Sequence, residues 1–124
     1  MLAYNANADS TLAALQTLAD LPCGGRRIAV LGDMAELGAQ SEAAHAEVGR
    51  RAAELGVQLI AIGKLAAITA QAARVAGARG VEEFSDVLEA GSVLKKTVKA
   101  GDVVLLKASR VTGLERVGEL LRQE

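Results

Sequence analysis

The chain has 124 residues, a formal net charge of −1, and a composition that is 51% hydrophobic but only 2% aromatic. That length suits one domain with one core, and the core must be built from Leu, Val, Ile and Ala. With Tyr4 and Phe84 as the aromatics and with basic residues in scattered doublets (Arg26-Arg27, Lys95-Lys96), the chain has neither stacking platforms nor a basic stripe, which argues against a nucleic-acid partner.

The chain opens Met-Leu-Ala-Tyr-Asn, with no basic region leading into an apolar run, so no secretory signal is expected. Tyr4-Asn5-Ala6-Asn7 precedes a first helix predicted over 9–20, with Leu12, Leu15, Leu18 and Ala19 on one side and Asn7 as a plausible N-cap. Pro22-Cys23-Gly24-Gly25 breaks it. Cys23 is the single cysteine, which rules out an internal disulfide and suits a reducing, cytoplasmic setting.

Ile28–Leu31 reads as the first clear strand, stopped by Gly32. A helix is predicted over 42–55 with Ser41 as N-cap, Gly56 just past its end, and Ala44, Val48, Ala52 and Leu55 facing inward. His45 lies beside that stripe and reads as a partly buried structural histidine. Val57–Ile62 is a second strand, followed by a strand-to-helix turn at Gly63-Lys64-Leu65 and a helix over 65–76 that ends before Gly77. Val81–Phe84 is a third strand, and Ser85 is placed to cap a helix over 86–98. Val103–Leu106 is apolar on both faces, as a central parallel strand should be. Thr112-x-x-Glu115 is a capping box opening a last helix to about residue 122. No stretch approaches the roughly 18 apolar residues of a membrane span.

Strands alternating with helices predict a doubly wound, mostly parallel Rossmann-like α/β sheet, with helices on both faces in three layers and a single domain over 1–124. The expected order sets the first and fourth of these strands side by side in the centre, with the second and third outside the first. The loops after Leu31 and Lys107 would then flank the crevice where open sheets bind ligands.

Those loops carry the chemistry. Gly32-Asp33-Met34-Ala35-Glu36-Leu37-Gly38 holds two carboxylates between glycines, suited to an ammonium group or a metal-bound water; the alternative is a plain solvated turn. Lys107-Ala108-Ser109-Arg110 brings two cations and a hydroxyl to a helix start, an anion-binding combination whose alternative is an ordinary capped turn. Tyr4, Asn5 and Asn7 can read a polar ring edge or a ribose, or simply approach and cap a helix. No G-x-x-x-x-G-K-[ST] loop, no G-x-G-x-x-G after the first strand and no metal-ligand spacing occurs.

Taken together, Tyr4-Asn5-Ala6-Asn7-Ala8-Asp9-Ser10, the intact Leu31–Gly38 stretch and Leu105–Arg110 resemble the carboxy-terminal domain of Mur ligases, closest to the type that adds D-alanyl-D-alanine. His45, Gly49, Glu115 and Arg116 also fall at the family's usual positions. The chain departs from the pattern at Leu2 (Asp in the family), Ala8 (Pro), Ala108 (Gly) and Leu114 (Met). The resemblance implies an ATP-dependent amide ligation through an acyl phosphate in peptidoglycan synthesis. Its substrates would be a UDP-MurNAc-tripeptide and D-alanyl-D-alanine. The phosphate loop and the magnesium ligands would lie in two preceding domains, leaving this domain inactive alone, with no catalytic or metal-binding residue of its own. It also implies that Tyr4, Asn5 and Asn7 meet the nucleotide, and that Asp33, Glu36, Lys107, Ser109 and Arg110 position the second substrate. Alternative readings are a folylpolyglutamate synthase-like or cyanophycin synthetase-like third domain, or a non-enzymatic receiver-like or small-molecule binding module.

Overall fold

The computed structural model of the protein describes residues 2–5, 8–34 and 38–108. Its elements run β1 (Leu2–Asn5), α1 (Ala8–Asp20), β2 (Arg27–Leu31), α2 (Ser41–Glu54), β3 (Gln58–Ile62), α3 (Ala66–Val75), β4 (Val81–Phe84), α4 (Val87–Thr97) and β5 (Val103–Ala108). The strands form one sheet in the order β1-β5-β2-β3-β4, and every pairing is parallel. The four expected strands take the expected order. The sequence reading missed β1, whose four residues add an outer strand to β5, with Leu2 opposite Leu105 and Asn5 opposite Ala108. The predicted helix after residue 112 and its capping box lie outside the described residues.

Strand alternation sorts the core into two layers. Ala29, Leu31, Leu59 and Leu105 face α1, α2 and α3, where Leu15, Leu18, Val48, Ala52 and Ala73 are buried. Ile28, Val30, Ile60, Ile62, Val104 and Leu106 face α4 through Ala90 and Leu94. Crossovers that advance along the sheet therefore run on one face, and the crossover from β4 back to β5 runs on the other. This is the pattern that right-handed connections require.

The helix ends follow local chemistry. Gly56 (φ 72°) and Gly77 (φ 94°) adopt the left-handed conformation after α2 and α3. Val57 N–H then reaches Ala52 O and Ala78 N–H reaches Ala73 O, which satisfies carbonyls the helices leave open. Arg27 donates to Leu18 O and Leu21 O and closes the end of α1. Two caps differ from expectation by one residue. Gln40, at the end of a 3₁₀ turn (Gly38–Gln40), precedes α2 in place of Ser41. Asp86 replaces Ser85 before α4, because its carboxylate accepts from Leu88 N–H at 2.8 Å. α2 and α3 pack at very close range: a Cβ built on Gly49 would fall far inside van der Waals contact with Thr69 O.

Candidate functional site at the carboxyl edge of the sheet

All five described strands are parallel, so their carboxyl ends share one edge. β5 pairs with β1 on one side and β2 on the other, which sets Lys107 between Tyr4 and Leu31 in register. The sheet thereby brings the Tyr4-Asn5 backbone, Lys107-Ala108 and Gly32-Asp33-Met34 together across three adjacent strands. Asn7, Glu36, Ser109 and Arg110 lie outside the described residues.

Lys107 is 2% exposed, an unusual burial for an ammonium group. Alternation from Leu105 places it on the side of the sheet covered by α1. Burial pushes its pKa below the ordinary lysine value. Its carbonyl accepts from Gly32 N–H at 2.9 Å, so β2 and β5 stay paired as the chain leaves the sheet.

Asp33 is turned toward the neighbouring strand. Its carboxylate accepts from Lys64 N–H at 2.9 Å and Leu65 N–H at 3.0 Å, just ahead of α3. These are donors at a helix start, which a carboxylate satisfies well. Gly63 makes the contact possible: it sits at φ +120°, and a Cβ there would lie 2.5 Å from Asp33 Oδ1. Met34, 4% exposed, is held next. Its N–H donates to His45 Nε2 at 3.0 Å, and the buried Thr11 hydroxyl points at its sulfur at 3.7 Å.

His45 is itself 2% exposed, more completely buried than the sequence suggested. Nδ1 lies 2.7 Å from Ser41 O. A carbonyl can only accept and an amide N–H can only donate, so the proton sits on Nδ1 and the ring is neutral. Sequence reasoning marked Asp33 and Lys107 as candidates for positioning a ligand, and did not foresee the contacts made by Gly63, His45 and Thr11. The available signal was Gly63 immediately after a strand, with no indication that Asp33 would reach it.

A shallow hollow of about 160 Å³ lies farther along the same edge, lined by Gly63, Lys64, Ala66, Ala67, Glu83, Phe84 and Ser85. Neither Asp33 nor Lys107 lines it. Among the described residues no group of His, Cys, Asp or Glu side chains is placed to hold a metal ion, and no helix is long and apolar enough to cross a membrane.

Comparison with known proteins adds to this geometry. Residues 1–110 match the family model described as Mur ligase, glutamate ligase domain. The chain is 40% identical, over 97% of its length, to the UDP-N-acetylmuramoyl-tripeptide–D-alanyl-D-alanine ligase of Escherichia coli K12, and 42% identical over 98% to that of Synechocystis. It covers 26% of each of those proteins, so it spans about a quarter of their length. Among solved structures, MurF from Acinetobacter baumannii matches with a TM-score of 0.85 at 30% identity, over 98% of this chain and 27% of that one. MurF ligase from Thermotoga maritima in complex with ADP matches with a TM-score of 0.77 at 31% identity, over 96% of this chain and 26% of that one.

Proposed function

The chain belongs to the Mur ligase family, as its glutamate ligase domain, and from that premise we propose that it is the closing domain of a longer, cytoplasmic, ATP-dependent amide ligase. The reaction is the joining of D-alanyl-D-alanine to a UDP-MurNAc-tripeptide. ATP phosphorylates the tripeptide carboxylate, the dipeptide amine attacks the acyl phosphate, and phosphate leaves as the amide forms. The names of the relatives and the ADP bound to the Thermotoga protein support this reading.

One observation about this chain supports it: the β1-β5-β2 pairing sets the described parts of the three motifs, Tyr4-Asn5, Gly32-Asp33-Met34 and Lys107-Ala108, at one edge of the sheet. Tyr4, Asn5 and Asn7 face the nucleotide in this scheme, while Asp33, Glu36, Lys107, Ser109 and Arg110 set the second substrate. The domain's contribution is orientation and exclusion of water from the acyl phosphate, not proton transfer. The described residues form no metal cluster; two further domains of the parent protein supply the phosphate loop and the magnesium site.

The test is a reaction of the parent protein with ATP, UDP-MurNAc-tripeptide and D-alanyl-D-alanine, followed by phosphate release and product mass. The expected result is dipeptide-dependent phosphate release with a product heavier by the dipeptide less one water. Phosphate release indifferent to the dipeptide would overturn the proposal. Calorimetric titration of the isolated chain with ATP and magnesium should show no micromolar binding.

A further inference from the structure

The hollow at the ends of β3 and β4 is bounded by a turn that is fixed from two sides. Gly63 N–H donates to Phe84 O at 3.0 Å, which ties the turn to β4. On the other side the Asp33 carboxylate accepts from Lys64 N–H and Leu65 N–H, so these backbone donors are spent within the fold. What the turn offers outward is the Lys64 side chain. Lys64 is exposed, and among the described residues no carboxylate forms an ion pair with its ammonium. The rest of the lining sorts by chemistry. Ala66, Ala67 and Phe84 give apolar surface, and Ser85 gives a hydroxyl. Glu83 also lines the hollow, but its carboxylate is taken by Arg74 at 2.9 Å. At about 160 Å³ the space suits a group of a few atoms, not a nucleotide or a sugar.

We propose that Lys64 is a specificity-determining residue for the second substrate. It takes the free carboxylate of the incoming dipeptide, with the terminal methyl against Ala66, Ala67 and Phe84. This rests on the ligase reading above and deepens it. In that reaction the amine of the dipeptide is consumed, while its carboxylate passes through unchanged and is free to be recognised away from the reacting centre. The spacing along the edge suits such a ligand. Adjacent strands lie about 4.8 Å apart, which sets the end of β2 and the hollow roughly 5–10 Å from each other. Two extended residues span at most about 7 Å. A dipeptide laid along the edge, with its amine toward β2 and β5, therefore brings its carboxylate to Lys64.

The test compares D-alanyl-D-alanine with its C-terminal amide as substrates of the parent protein. The amide removes the charge on the ligand, and Lys64→Met removes it on the protein. With the free dipeptide, Lys64→Met should raise KM by about tenfold or more, the scale of one charge-assisted contact. The KM values for ATP and for UDP-MurNAc-tripeptide should not change. With the amide, the unsubstituted protein should already show the raised KM, and Lys64→Met should add less than about twofold, because the interaction is already gone. Lys64→Arg should recover most of the loss with the free dipeptide. An equal rise with both forms of the dipeptide, an unchanged dipeptide KM, or a rise confined to UDP-MurNAc-tripeptide would each overturn the proposal. The last of these would assign the hollow to the other substrate. If the unsubstituted protein shows no dipeptide-dependent phosphate release, the ligase reading fails and the role of Lys64 fails with it. Normal release with an unchanged KM in Lys64→Met removes only the role of Lys64.

Discussion

The contact between Asp33 and Gly63 is a two-residue lock in which neither residue alone explains the geometry. The carboxylate occupies the space where any other residue at 63 would place its Cβ, and the φ of +120° disfavours such a residue independently. Gly63→Ala should therefore destabilise the domain by about 1–3 kcal/mol, the usual cost of overpacking. In an Asp33→Ala background the same change should cost less, because the clash is gone while the backbone penalty stays. Urea unfolding of the two single variants and the double variant measures this coupling. A second lock lies at the opposite edge of the sheet. Asp102, with its side chain 3% exposed, accepts from the Arg26 side chain, Arg26 N–H and Lys99 N–H, and the same guanidinium donates to Thr97 O at the end of α4. The Arg26 side chain first, then the two backbone donors, hold the Asp102 pKa down from 3.8 to about 2. A carboxylate lowered in the folded state contributes stability above its unfolded value and loses it as pH falls through the folded one. The stability gap between the unsubstituted chain and Asp102→Asn should thus be full above pH 3.8 and close as pH falls toward about 2. Urea midpoints measured across that window check it, and a gap that stays constant would remove Asp102 as its source.

Among the described elements, α2 and α3 pack with their backbones very close, and the reason is compositional. Gly49 on α2 meets Thr69 and Ala73 on α3, and Ala52, Ala70 and Ala73 are fully buried. Small residues let two helix backbones approach closely, which leaves no room for a methyl at position 49. Gly49→Ala would raise intrinsic helix propensity by about 1 kcal/mol in an exposed helix. Here the sign should reverse, with a net loss of at least about 1–3 kcal/mol from overpacking. A lowered Tm in a thermal melt is the expected outcome, and an unchanged or raised Tm would show that the helices can part without cost. The caps behave more locally. Asp86 and the two left-handed glycines act within a few residues of where they stand, so single-residue shifts such as Ser85 to Asp86 are the scale of error expected there.

At the scale of the molecule, one sheet separates two apolar layers, and their side chains do not touch across it. Leu18 belongs to the layer under α1–α3 and Ile62 to the layer under α4, both essentially buried. Leu18→Ala should cost about 2–5 kcal/mol and Ile62→Val about 0.5–1.5 kcal/mol. Together they should add to within about 0.5 kcal/mol, because they lie in separate buried clusters on opposite faces of the sheet. Equilibrium unfolding of the three variants tests whether the layers are energetically separate; a larger coupling would mean that the sheet transmits strain.

Local periodicity was enough to read most of this architecture. Alternating apolar runs and 3.6-residue patterns identify four strands and the helices between them, and the right-handedness of the crossovers orders those strands. The motifs after Leu31 and at Lys107 were legible for the same reason, since each is contiguous in sequence. β1 was not legible: Leu-Ala-Tyr-Asn is too short to show a period, and it is a strand because the edge of β5 offers it backbone partners. The partners of Asp33 and of Arg26 were not legible either. They lie 31 and 76 residues away, and no local pattern encodes a contact that arises only when parallel strands are set side by side. Residue types and spacing determined which groups arrive at the carboxyl edge of the sheet. Only the packed structure decided that the Asp33 carboxylate would accept from the start of α3 and that His45 would hold Met34 N–H, because hydrogen-bond partners at that distance are set by register and burial, not by sequence neighbours.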